Sequence, residues 1–266
     1  MSSFLNGVLL LGSLALASSQ DYPNFEPKII GGQKVPPGKH PYFASLANRS
    51  GRFCGGSIIG THFILTAAHC IRTPFYNFTK ATHKSLFHVR VGQGTSMERR
   101  YKIANYAIAV GFNGTSLDDI AIIETEKRIV FNKAVHPICL PLRSLQEGDE
   151  ATAMGYGRIN AKDYYSAPST LMELTGTVRP GKECEDEEPH KHPEELMCFG
   201  SPTGNVCNGD SGGPVVSGHF QYGIASSTYF GCPRGKPGTF TRVSTYCDQI
   251  YRATQGRVQC RASYEC

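Results

Sequence analysis

No apolar run in this 266-residue chain reaches the about 20 residues that a membrane-spanning helix requires. No membrane contact is therefore expected. Nor is there a block of Lys or Arg: the formal net charge is +5, but the basic residues are scattered. That scatter suits a solvated surface and argues against nucleic-acid binding, which concentrates cations on one face. Internal repeats and low-complexity tracts are absent too. Tryptophan is missing altogether.

The chain is rich in other things. Hydrophobic residues make up 40%, enough for a globular protein of one or two domains with a real core. A short apolar stretch, "FLNGVLLLGSLALASS", ends in the small-x-small pattern Ala15-Leu16-Ala17, which predicts a signal peptide over residues 1–17. Ten cysteines fit export, because disulfides persist outside the reducing cytosol. So do three sequons, at Asn48, Asn77 and Asn113, each a candidate glycan acceptor on a surface loop. A secreted, extracellular protein is expected.

After a short polar segment, residues 18–28, the chain becomes a series of short β-type runs separated by Gly, Pro, Asn and Asp. Examples are "YFASLA" (42–47), "SLFHVRVG" (85–92), "DIAIIETE" (119–126), "GPVVSG" (213–218) and "GTFTRVSTY" (238–246). This pattern predicts an all-β barrel or sandwich. A helix is expected near the end, around Thr245 to Thr254, with Tyr246 and Ile250 one turn apart. "EATAMGYG" (150–157) is a plausible start for a second β domain.

Three local motifs carry chemistry. "GNVCNGDSGGPVV" (204–216) sets Asp210-Ser211 inside a nest of glycines, either a tight surface turn or a serine nucleophile with backbone N–H groups bared around it. "LTAAHC" puts His69 beside a cysteine at the end of an apolar run, and "LDDIAII" puts Asp119 at the mouth of an apolar strand. A buried carboxylate there needs partners, because an unpaired charge in a low-dielectric site is costly. Nucleophile, base and orienting carboxylate are what acyl transfer by a serine requires.

On these motifs, in the chain order His, Asp, Ser, the sequence resembles the chymotrypsin/trypsin-type serine proteases over essentially all of its mature length. The resemblance implies an all-β fold of two six-stranded antiparallel β-barrels with the active site between them and a C-terminal helix. The peptidase domain would span 29–266, with barrels at about 29–145 and 146–245 and a helical tail from 245. It implies His69, Asp119 and Ser211 as catalytic residues, and the N–H groups of Gly209 and Ser211 as an oxyanion hole. "KIIGG" (28–32) resembles the family's activation site, so 18–28 would be an activation propeptide. Cleavage after Lys28 by a trypsin-like protease would free the amino group of Ile29 to pair with Asp210, an activation latch. The family pattern also implies disulfides Cys54–Cys70, Cys184–Cys198 and Cys207–Cys232; Ala151 and Ser217 stand where relatives carry another bridge. Cys139–Cys247 and Cys260–Cys266 are the expected pairs for the remaining four.

The specificity pocket departs from the family pattern. Asn205 stands where trypsin-like members carry the Asp that pairs with a substrate Lys or Arg, so such cleavage is disfavoured. Where relatives read Ser-Trp-Gly, this chain reads Ser226-Ser227-Thr228, and Thr228 should narrow the pocket, while Gly238 is retained deeper in. The missing Trp weakens the platform for upstream substrate residues. Small or medium uncharged side chains are therefore expected before the scissile bond, with a polar preference or a very narrow specificity as the alternatives. "CIRTPFYNFTKATHKS" should overhang the cleft. In the family's calcium loop, here "GQGTSMERR", only Glu98 could serve, and "EDEEPHKH" (185–192) suits a solvated loop better than a metal site. No metal or cofactor is expected. The protein would act as a monomer on protein or peptide substrates, with protein inhibitors as further partners. A catalytically weak or inactive protease-fold binding protein is the alternative, supported by the altered Ser227-Thr228 wall alone.

Overall fold

The computed structural model describes residues 29–72, 85–163, 165–184, 194–264 and 266. The expected leader and propeptide, Asn77, most of the loop before Leu86, and the acidic segment 185–192 lie outside the described residues.

Two antiparallel sheets build the molecule. After β1 (Gln33–Lys34), the first sheet collects β2 (Phe43–Asn48), β3 (Gly51–Ile58), β4 (Phe63–Thr66), β5 (His88–Val91), β6 (Arg99–Tyr101), β7 (Ile103–Ile108) and β8 (Ala121–Thr125), in the order β6-β5-β2-β3-β4-β8-β7. The second uses β9 (Glu150–Gly155), β10 (Met172–Val178), β11 (Leu196–Gly200), β12 (Pro214–Ser217), β13 (Phe220–Thr228) and β14 (Gly238–Arg242). Because β9 pairs with both β12 and β10, these six strands close into a barrel, and β1 adds itself to β10.

The all-β fold expected, two antiparallel barrel-like sheets with a C-terminal helix, is present, the second sheet a closed six-stranded barrel and the first a half-barrel. The first sheet has seven strands, and its edges, β6 and β7, are consecutive stretches of chain separated only by Lys102. A single run that bends at one residue serves both edges, so the sheet curls into a half-barrel rather than closing through a ladder.

Strand placement follows side-chain alternation. In β5, Val89 and Val91 are buried while His88 and Arg90 are half-buried, the period-two pattern of a one-sided strand. Strands interior to the sheet lose this alternation: β4 is "FILT" with all residues buried. The first core gathers Leu46, Ile58, Ile64, Leu65 and Ile123. The second gathers Met197, Val215, Phe199 and Phe240, the two rings meeting edge to face at 5.5 Å.

The two halves touch closely where the site forms. The Gly55 N–H on β3 donates to the Ser211 carbonyl at 2.7 Å. A Cβ on Gly55 would lie 2.7 Å from the Gly213 Cα, so only glycine admits this approach.

The C-terminal helix α1 (Cys247–Ala253) follows a 3-10 turn at Val243–Tyr246, and Tyr246 and Ile250 are both buried. Five disulfides join all ten cysteines. Two pairings differ from expectation: Cys139 bonds to Cys266, and Cys247 to Cys260, rather than Cys139–Cys247 and Cys260–Cys266. The reason is the path of the tail. After α1 the chain turns at Thr254, whose hydroxyl caps the Ile250 carbonyl and accepts from the Val258 N–H, returning Cys260 to the start of the helix. Arg261 then bonds along 140–142, with its N–H on the Leu140 carbonyl and the Leu142 N–H on its own carbonyl. That lays the tail beside Cys139, where Cys266 meets it.

Candidate active site

His69 sits in a 3-10 turn (Ala68–Cys70) directly after β4, held from below by the Cys54–Cys70 disulfide. Asp119 precedes β8, the strand that pairs with β4, so neighbouring strands deliver the two side chains together. The Asp119 carboxylate is almost fully buried and fully engaged. One oxygen accepts from the His69 backbone N–H at 2.9 Å; the other lies 2.7 Å from His69 Nδ1 and accepts from the Ser226 hydroxyl at 2.6 Å. The Thr241 hydroxyl donates to the Asp119 carbonyl at 3.0 Å, a partner that nothing in the local sequence pointed to. His69 is thus fixed at Nδ1, and 35% of its side chain remains exposed in the cleft.

Ser211 faces the same cavity as His69. Among the described residues the hydrogen bonds link His69 to Asp119 and do not join it to Ser211, as is common for such pairs before substrate arrives. The loop around Ser211 spends its backbone donors selectively. The N–H groups of Asp210, Gly212 and Gly213 bond to Cys207, Ala225 and Asp210 carbonyls, whereas those of Gly209 and Ser211 have no acceptor among the described residues. Gly209 lies at φ +100°, a conformation that favours glycine and turns its N–H out of the loop.

Asp210 points the other way, into the protein. It is completely enclosed and accepts from the Gly157 N–H at 2.7 Å and the Cys207 N–H at 2.8 Å. Burial pushes its carboxyl up to about 7, against the pull of those two donors. Ile29 is also buried, packed with Met172 and Leu174, and the next carbonyl, on Ile30, accepts from the Asn205 N–H at 2.8 Å.

A buried carboxylate orienting a histidine, a serine in the same cleft, and two open backbone donors beside that serine form one constellation. The family model described as Trypsin matches residues 29–250. The chain belongs to the trypsin family. It is a serine endopeptidase. A chymotrypsin from Phaedon cochleariae is 30% identical over 247 residues, covering 89% of this chain and 87% of that protein. A trypsin from Sus scrofa is 32% identical over 231 residues (84% of this chain, 94% of that one), and chymotrypsin-2 from Vespa crabro 31% over 226 (84% and 99%).

Within this trypsin-family domain a second cavity opens on the other flank of Ser211, walled by Ser226, Ser227, Thr228 and the Cys207–Cys232 disulfide. Asn205 and Gly238 do not line it. Asn205 is buried beneath the wall, its amide nitrogen donating to the Pro233 carbonyl at 2.9 Å and its oxygen accepting from the Thr228 hydroxyl at 3.4 Å. Thr228 therefore sits over the Asn205 side chain. Gly238 sits behind, paired with Thr228 across β13 and β14.

Other expected positions fall outside the cleft's chemistry. Glu98 is held by Arg90 through Nε at 2.9 Å and through Nη2. Cys54, Cys70 and His69 cluster tightly, but a disulfide leaves no thiolate for a metal. Asn48, the last residue of β2, and Asn113, in a bend, are both exposed. No helix among the described residues is long and apolar enough to cross a membrane.

Proposed function

We propose that the protein is a secreted zymogen of a serine endopeptidase working through Ser211, His69 and Asp119. The observation that carries this is the doubly held Asp119, which fixes Nδ1 of a His69 that lines the same cavity as Ser211. His69 Nε2 takes the Ser211 proton as Oγ attacks the peptide carbonyl; Asp119 stabilises the imidazolium. The N–H groups of Gly209 and Ser211 receive the oxyanion, and their lack of any other acceptor supports that role. The proton then passes from His69 to the leaving amine, and water releases the acyl group from Ser211 by the same steps.

Activation follows cleavage after Lys28. The new ammonium on Ile29 neutralises Asp210, whose enclosed carboxylate has two N–H donors but no cation beside it among the described residues. The residue before the scissile bond is small or medium and uncharged, because the Thr228 hydroxyl closes on the Asn205 side chain, an amide with no charge to offer a Lys or Arg.

The test is a fluorophosphonate that labels activated serines, applied to the full chain before and after cleavage at Lys28. Labelling confined to the cleaved form is expected. Ser211→Ala should fold normally and lose about 10⁶-fold in turnover; proteolysis retained in that variant overturns the assignment.

A further inference from the structure

The cavity that holds His69 and Ser211 extends far beyond them, to about 2270 Å³. Its wall carries Arg49, Arg52, Arg90, Arg100, Lys102 and Arg158. Among the described residues Glu126 is the one carboxylate on that wall, and Glu98 stands behind it, already bound to Arg90. The scatter of cations in the sequence becomes a concentration here because separate strands converge. Arg49 and Arg52 come from the β2–β3 hairpin, and Arg90 and Arg100 sit directly opposite each other on β5 and β6. Like charges opposed across a ladder weaken the sheet, and Glu98 offsets only the Arg90 side of this pair.

Two nitrogens on this wall, the Arg52 Nε and the His88 Nε2, are buried with no hydrogen-bond partner among the described residues. Arg52 lies over the Tyr156 ring, 4.2 Å from its centre, which orients the guanidinium beside the cleft. Burial, and then the charges of neighbouring Arg100 and Arg90, hold His88 below its usual range; burial and Arg90 act alike on Arg52. Positive potential from several strands meets in one concavity, which focuses it.

Ser211 lines this cavity and the Ser226–Thr228 pocket on its other flank. With the acyl half of a substrate anchored in that pocket, the basic cavity falls to the leaving-group half. We propose that it selects substrates with acidic side chains on the leaving-group side of the scissile bond. The proposal rests on the Ser211-centred reading above. A carboxylate there meets the cations of Arg49, Arg52 and Arg100 on the cavity wall.

The activated full chain would be given internally quenched peptides identical up to the scissile bond, with Glu, Gln or Lys at the second and third positions after it. Glu should exceed Gln in kcat/KM by about tenfold at low salt, the gap shrinking severalfold at about 0.5 M salt. Combining Arg49→Glu with Arg100→Glu should invert the order and leave hydrolysis of a short ester, which ends at the bond, unchanged. Equal rates for all three peptides, or a Glu preference that survives the charge reversal, overturn the proposal. Binding to Ser211→Ala keeps the question separate from catalysis: a fluorescent Glu-rich peptide should bind more tightly than its Gln counterpart, and the charge reversal should abolish the difference. Failure of the ester to react would sink the Ser211 reading while this binding still decides the cleft. Binding of a heparin fragment without the Glu peptide would assign the cavity to a polysaccharide and overturn the proposal.

Discussion

Asp119 and Asp210 are both buried carboxylates, yet their surroundings set them to different tasks. Asp119 is engaged by the His69 N–H, His69 Nδ1 and Ser226, which fix its orientation toward the histidine. Asp210 has two N–H donors only, and burial lifts it from 3.8 to about 7. A carboxyl raised in the folded state favours folding fully below pH 3.8, and that contribution is lost as pH rises through about 7. At about 1.36 kcal/mol per pH unit, the rise amounts to on the order of 4 kcal/mol. Asp210→Asn should therefore stabilise the uncleaved precursor at pH 8 relative to the parent, measured by denaturant unfolding. The same change should abolish labelling of Ser211 after cleavage, since the Ile29 ammonium then has no anion to draw it in.

At the scale of elements, the site depends on how closely β3 approaches the Ser211 loop. The Gly55 N–H holds the Ser211 carbonyl, and the space for a Cβ is taken by the Gly213 Cα. Gly55→Ala should push the halves apart locally and leave each core intact. Turnover is expected to fall about 10²-fold, as for reacting groups displaced by about 1 Å. Steady-state kinetics on the cleaved enzyme, alongside its circular dichroism, checks this: an unchanged kcat/KM would show that the loop tolerates the shift.

At the scale of the whole molecule, one polar cluster ties the start of the domain to the closed barrel. Glu173 on β10 is buried and accepts from Gln33 on β1 at 2.8 Å and from Lys39 at 2.6 Å, and lies 2.7 Å from His40 Nε2. Tyr42 completes the chain through its hydroxyl, 2.8 Å from His40 Nδ1. Burial opposes ionisation of Glu173, but the bonds from Lys39, His40 and Gln33 outweigh it and hold the carboxyl below 4.5. Burial also holds His40 below 6.5, against the pull of Glu173. Both signs agree. As pH falls below 6.5 the unfolded chain takes up the His40 proton that the native state resists, and below 4.5 it takes up the Glu173 proton as well. The melting temperature should fall between pH 6.5 and 4 from this cluster. Glu173→Gln should remove the part of the fall below pH 4.5 while steepening the His40 part above it, because burial then acts on His40 unopposed. It should also lower stability at pH 7 by about 2–3 kcal/mol. A parallel pH dependence in the variant and the parent would remove the cluster as its cause.

Local chemistry made much of this legible in the linear chain. Short β-type runs bounded by Gly, Pro, Asn and Asp marked β2, β5, β8, β12 and β14 within a few residues of their positions, because those residues interrupt a strand. The glycines around Ser211 and the motifs at His69 and Asp119 pointed to a candidate site because serine acyl-transfer chemistry tolerates few residue types at those spacings. Only the folded chain decided the rest. The tail's return along 140–142 set the last two disulfides. Thr228 reaching Asn205, and arginines from separate strands meeting in one cavity, are contacts between residues distant in sequence. A sequence read along its length shows each residue's preference for its neighbours, whereas such encounters depend on where the strands cross.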